Sequence, residues 1–163
     1  MNNIVAAISA YQSAYTLAPV PNPLPGNVDR STDYSFSETN SDVVVILMDV
    51  TQLANVNHVR NPQKHAFLNA KTHPGSAGQG VSVPDYNFRD PWGNPYVIAF
   101  DLNYDNKVDV SGGDPIYPVY PYVGIPQAAM VWSMGPDGVA ENGIAGPNRG
   151  REPKNQDNIK SWE

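Results

Sequence analysis

The chain contains no cysteine, which removes disulfides, thiolate metal sites and thiol nucleophiles together. Basic residues are scarce: ten Lys plus Arg stand against sixteen Asp plus Glu, for a formal net charge of −6. None of them cluster, which disfavours a nucleic-acid or anionic-membrane surface and leaves acidic loops suited to cations. No apolar run approaches the roughly 18 residues needed to cross a bilayer, and no charged-then-apolar signal opens the chain, so it reads as a soluble polypeptide. The three histidines, His58, His65 and His73, show neither a two-His zinc spacing nor an H-E-x-x-H helix and read as surface or hydrogen-bonded residues. The nucleophile elbow, the P-loop and the dinucleotide fingerprint are all missing. Asp90, Asp101 and Glu141 offer carboxylates, but carboxylate separation is not visible in sequence. No enzyme is expected.

What is abundant is proline and glycine, 16 and 13 respectively in 163 residues, with only 16% charged residues. That composition describes a loop-rich fold with few long helices. The length suits one domain, 1–163, able to bury a real core.

Ile4, Ile8, Tyr11 and Tyr15 form one stripe of an amphipathic helix over residues 2–17. The pattern begins with no cap ahead of it, so the native chain is expected to continue upstream. The prolines of "APVPNPLPG" forbid continuation of the helix. Residues 27–41 read as polar loop. The apolar run Val43–Met48 suits a buried strand or a buried helix; Ser41 as a cap and Asp42 in the first turn favour the helix. "NPQKHAFLNAK" and "THPGSAGQG" read as turn and loop. "DPWGNPY" is a turn, with Trp92 as a large apolar side chain wanting burial. Strands follow at Tyr96–Leu102 and Ala128–Met134. The tail from Gly135 reads as mostly irregular, with Trp162 packed somewhere at its end.

The loop "DLNYDNKVD" places Asp101, Asn103, Asp105 and Asp109 at positions 1, 3, 5 and 9 of an EF-hand-like frame. Position 12 is Gly112 where a bidentate Glu belongs, and position 6 is Asn106 where Gly belongs. Two readings stay open: a one-off cation loop, and a solvated acidic turn in which Asp and Asn cap their own backbone. In "VWSMGPDG", Gly135 and Gly138 permit a tight loop whose Asp137 and carbonyls offer oxygens to a cation. "QDNIKSW" can return a second carboxylate, Asp157, to the same place.

An N-terminal helix followed in order by "DPWGNPY", "WSMGPDG" and "DNIKSW" resembles the type II secretion major pseudopilins and their type IV pilin-like relatives. These carry a D-P-W-G-x-P-Y turn, a strand ending in S-x-G-x-D-G, and a closing D-I-x-x-W. The resemblance covers the helix and residues 87–163. It departs from the pattern in having extra segments at 101–127 and 139–156, and in the leader and apolar half-helix, which are not in this sequence.

The resemblance implies an α+β head in which an N-terminal α-helix packs on a small antiparallel sheet with long ordered loops. It also implies Ca²⁺ held by the carboxylates of Asp137 and Asp157 and the backbone carbonyls of Met134 and Val139. The implied role is structural: a filament subunit anchored in the inner membrane through an upstream helix, on its periplasmic face or at the cell surface. Other pilin or pseudopilin subunits would be its partners, and the head alone is expected to be a monomer. The alternative is a free-standing extracellular calcium-dependent module, for carbohydrate through the Tyr-rich segment 117–122.

Overall fold

The computed structural model describes residues 1–75, 78–108, 126–139 and 159–161. Asp109, Glu141, Asp157, Trp162 and the segment 117–122 lie outside the described residues.

Helix α1 (Asn2–Tyr15) buries Ile4, Ala7, Ile8 and Tyr11 on one face, as the spacing of four and three residues requires. It ends two residues earlier than the sequence pattern, and for a local reason. Thr16 turns into the left-handed region at φ 56° and donates its N–H to Gln12 O at 2.8 Å, closing the helix before the first proline is reached. Tyr11 packs against Tyr15 and Phe67, at ring separations of 4.6 and 5.3 Å.

Helix α2 (Ser41–Leu47) resolves the ambiguous apolar run as a helix. Its β-branched residues are poor helix formers. Val43, Val44, Val45, Ile46 and Leu47 are nevertheless all fully buried, and their burial outweighs a propensity deficit of a few tenths of a kcal/mol per residue. The cap position falls on Asn40 rather than Ser41, and the Asn40 side chain makes no capping bond.

The main sheet has four strands in the order β1 (Tyr34–Phe36), β5 (Val97–Phe100), β6 (Ala129–Ser133), β7 (Ile159–Lys160). Every neighbouring pair in it is antiparallel. Three shorter strands, β2 (Thr72–His73), β3 (Gly80–Ser82) and β4 (Phe88–Arg89), form a second sheet in which β2 and β3 run parallel and β3 and β4 antiparallel. The protein is therefore α+β, with a wholly antiparallel main sheet and one parallel pair in the second sheet, whose strand β2 lies in a segment the sequence reading left as loop.

Helix α1 lies against β6 and α2. Strand alternation sends Ile98, Phe100 and Val131 into the core shared with the two helices, while Val97, Ala99, Met130 and Trp132 face the other way, against Val108 and Met134. Both faces of the central strands are thus covered, which accounts for their uninterrupted apolar sequence.

Burial, before any other cause, raises the pKa of Tyr11, Tyr34 and Tyr96. Nearby carboxylates add to the shift at Tyr34 and Tyr96, whereas Arg60 opposes it at Tyr11. Since the folded values are raised, this contribution to stability is fully present below the ordinary tyrosine value of about 10 and is lost as pH rises through the raised values. In an alkaline titration, part of the phenolate absorbance should appear only with the loss of circular dichroism. Free ionisation of all nine tyrosines in a still-native chain would contradict this.

Candidate functional site

The "DPWGNPY" turn, the "WSMGPDG" loop and residues 159–161 of the closing segment come together at one end of the main sheet. Asp90 is fully buried and opens the turn that precedes β5. Its Oδ1 accepts the N–H groups of Trp92 and Asn94, both at 2.9 Å, which fixes the turn. Its Oδ2 accepts the Ser133 hydroxyl at 2.6 Å, a charge-assisted bond to the last residue of β6. Ser133 Oγ in turn accepts the Gly135 N–H at 3.0 Å, and Asn94 Nδ2 donates to the Gly135 carbonyl at 2.9 Å. One buried carboxylate therefore holds both the 90–94 turn and the start of the 134–139 loop.

Gly138 completes the fit. It sits at φ +66°, and a Cβ there would lie 3.1 Å from Asn94 Oδ1, so a side chain would meet both backbone strain and a crowded neighbour. The closing segment reaches the same place, because β7 pairs Ile159 with Ser133 and Lys160 with Trp132. Ser161 then exchanges bonds with Val131, its N–H donating to Val131 O and its Oγ accepting Val131 N–H, each at 3.0 Å. A cleft of about 750 Å³ opens beside this junction, toward the start of α1, with Asn2, Lys71, Pro91, Tyr96 and Ser133 among its walls.

Trp92 corrects the sequence reading. It is 46% exposed, because the turn that Asp90 fixes carries it outward rather than into the core.

Of the family-derived calcium ligands, Asp137 stands in the exposed turn between Gly135 and Gly138, where its Oδ1 accepts the Val139 N–H at 2.9 Å. Met134 is half-buried against the Val97, Met130 and Trp132 cluster, and Val139 is exposed. The available donors are all oxygens, which suits a hard cation of the calcium type. Among the described residues, no group of three or more His, Cys, Asp or Glu is placed to hold a metal ion.

The Asp101 loop lies at the opposite end of β5 and is anchored on both flanks. Leu102 packs in the helix-side core, with its N–H on Asp33 Oδ1 at 3.1 Å, and Val108 packs on the other face of the sheet. Within the loop, Asp101 Oδ2 accepts Asn106 N–H, Asn103 Oδ1 accepts Asp105 N–H, and Asp105 Oδ1 accepts Lys107 N–H, at 3.0, 3.0 and 3.1 Å. Tyr104 and Asn106 take left-handed backbone at φ 61° and 70°, a conformation to which Asn is well suited. His58 is hydrogen-bonded, its Nδ1 lying 2.7 Å from Asp49 Oδ1.

Sequence reasoning missed a set of buried asparagines. Asn40 donates to the carbonyls of Phe88 and Tyr96 at 2.9 and 2.8 Å and accepts Phe88 N–H at 2.8 Å, tying the start of α2 to β4 and to the entry of β5. Asn61 donates to Ile46 O at 3.0 Å and to His65 O at 2.7 Å, and accepts the Tyr15 hydroxyl at 2.8 Å. The only trace of these roles in the sequence is a polar amide flanking an apolar run, which is common on protein surfaces as well.

No protein-family model, curated protein or solved structure matches this chain. Its class is accordingly defined by the fold described above, an α+β protein with a helix against an antiparallel sheet. Among the described residues, no helix is long and apolar enough to cross a membrane.

Proposed function

We propose that this chain is the head of a filament subunit of the pseudopilus or type IV pilus-like kind, stacked helically with further subunits in the periplasm or at the cell surface. The supporting observation is the convergence at the Asp90–Ser133 junction. The "DPWGNPY" turn, the "WSMGPDG" loop and the Ile159–Ser161 part of the closing segment are far apart in sequence and meet at one end of an antiparallel sheet covered by α1. Stacking of this kind uses heterologous contacts that do not close into a ring. An upstream apolar helix would supply the membrane anchor and most of the assembly energy.

The 134–139 loop would hold Ca²⁺ through Asp137 and the carbonyls of Met134 and Val139, with Asp157 as the second carboxylate. The junction contributes rigidity, since Gly135 is held at both its N–H and its carbonyl.

Two measurements test this. In cells making the full gene product, antibody against the head should label envelope filaments, and neighbouring heads should cross-link. Recovery of the head only as a freely secreted protein released by an ordinary signal would overturn the filament reading. For the metal, calcium at 100 times its dissociation constant stabilises a folded-state site by about 2.7 kcal/mol, worth several degrees in Tm for a chain of this size. Asp137→Ala should remove that component; a variant that keeps the whole shift would sink the assignment.

A further inference from the structure

Asp101 is 6% exposed, and its Oδ1 is buried with no hydrogen-bond partner among the described residues. A buried carboxylate oxygen left without a donor costs free energy that folding has to offset elsewhere. Its twin, Oδ2, accepts the Asn106 N–H at 3.0 Å. That bond ties the carboxylate to the loop that presents Asn103 and Asp105.

We infer that the Asp101–Lys107 loop is a second divalent-cation site, selective for calcium, with Asp101 Oδ1 as its buried anchor. Asn103 Oδ1 and the Asp105 carboxylate supply further oxygens from alternate positions. Among the described residues each of these accepts one backbone N–H, and such oxygens have a second lone pair for a metal. The Lys107 carbonyl, two positions further on, is the backbone donor that the spacing provides. An amide and a carbonyl therefore add to the two carboxylates, all of them oxygen donors of the kind a hard cation takes.

The chemistry also bounds the affinity. With two described carboxylates, and with Lys107 Nζ 3.5 Å from Asp105 Oδ2 as a competing positive charge, the site should be weak. Its dissociation constant should be on the order of 10⁻⁴–10⁻³ M, as in extracellular calcium modules. Calcium is preferred over magnesium because it accepts irregular geometry, whereas magnesium demands near-ideal octahedral coordination and dehydrates reluctantly. This site is independent of the filament reading and of the ligands around Asp137.

The test is calorimetric titration of the whole chain with CaCl₂ and, separately, MgCl₂. In Asp137→Ala, one calcium equivalent should still bind in the millimolar range. Adding Asp101→Asn or Asp105→Asn to that background should weaken it tenfold or more. The Asp105 side chain is exposed, so Asp105→Asn folds even if the buried Asp101→Asn does not. Loss of all calcium binding in Asp137→Ala would overturn the proposal and leave the filament reading intact. An isotherm unchanged by Asp105→Asn, or an equal response to magnesium, would overturn it too.

Discussion

Asn40→Ala should lower the stability of the chain by roughly 3–5 kcal/mol, a large fraction of what a domain of this kind possesses. The side chain makes three buried hydrogen bonds, to Phe88 N–H, Phe88 O and Tyr96 O. Phe88 O keeps the Tyr96 N–H as a second donor at 3.0 Å, but Phe88 N–H and Tyr96 O are stranded, at about 1–3 kcal/mol each. The missing side chain adds a cavity where α2 meets the second sheet. Urea unfolding would measure the effect, with the exposed Asn3→Ala as a reference expected within about 0.5 kcal/mol of wild type. Equal midpoints for the two variants would show that the asparagine does not brace the core.

The second large effect belongs to Asp90. Asp90→Ala removes the acceptor for two turn amides and for the buried Ser133 hydroxyl, and should cost roughly 2–4 kcal/mol. The lower end of that range applies if water reaches the amides of the outward-facing turn. Asp90→Asn is more informative. Its remaining oxygen still serves Trp92 and Asn94, but its NH₂ points at a Ser133 oxygen that already accepts Gly135 N–H, leaving the hydroxyl proton without an acceptor. About 1–2 kcal/mol should be lost.

Ser133→Ala breaks the same charge-assisted bond from the other side, at about 1.5–3 kcal/mol. Because the two residues share one interaction, the double variant should fall short of the sum by about 1 kcal/mol or more. Strict additivity would mean that the Asp90–Ser133 bond does not couple the turn to the loop. Weaker calcium stabilisation in Ser133→Ala, with Asp137 intact, would be the matching functional signature, since Gly135 is held through Ser133 Oγ.

How much of this was legible beforehand depended on distance along the chain. The stripe of Ile4, Ile8 and Tyr11 determined α1 and its buried face, because helical periodicity is a property of adjacent turns. The aromatic and β-branched runs at 96–102 and 128–134 marked the central strands, and Asp-Pro with Gly-Asn-Pro marked the turn before the first of them. These are local rules, and they carried the order of the principal elements and the oxygen-rich character of both candidate cation loops, whereas the α+β class came as what the resemblance implies.

Tertiary structure decided the rest. Strands of two or three residues such as β2, β4 and β7 are too short to show a period, and they exist only because a neighbour offers its hydrogen bonds. Ser41 looked like a cap until Asn40 took that position, with its side chain engaged by residues 48 and 56 positions away. Trp92 looked like core until Asp90 fixed a turn that faces it outward. Whether Asp101 merely caps its own loop or also keeps one oxygen unpartnered depends on what packs around a single carboxylate. Burial and hydrogen-bond satisfaction are settled by partners brought in from elsewhere in the chain, and composition and spacing carry no record of which partners arrive.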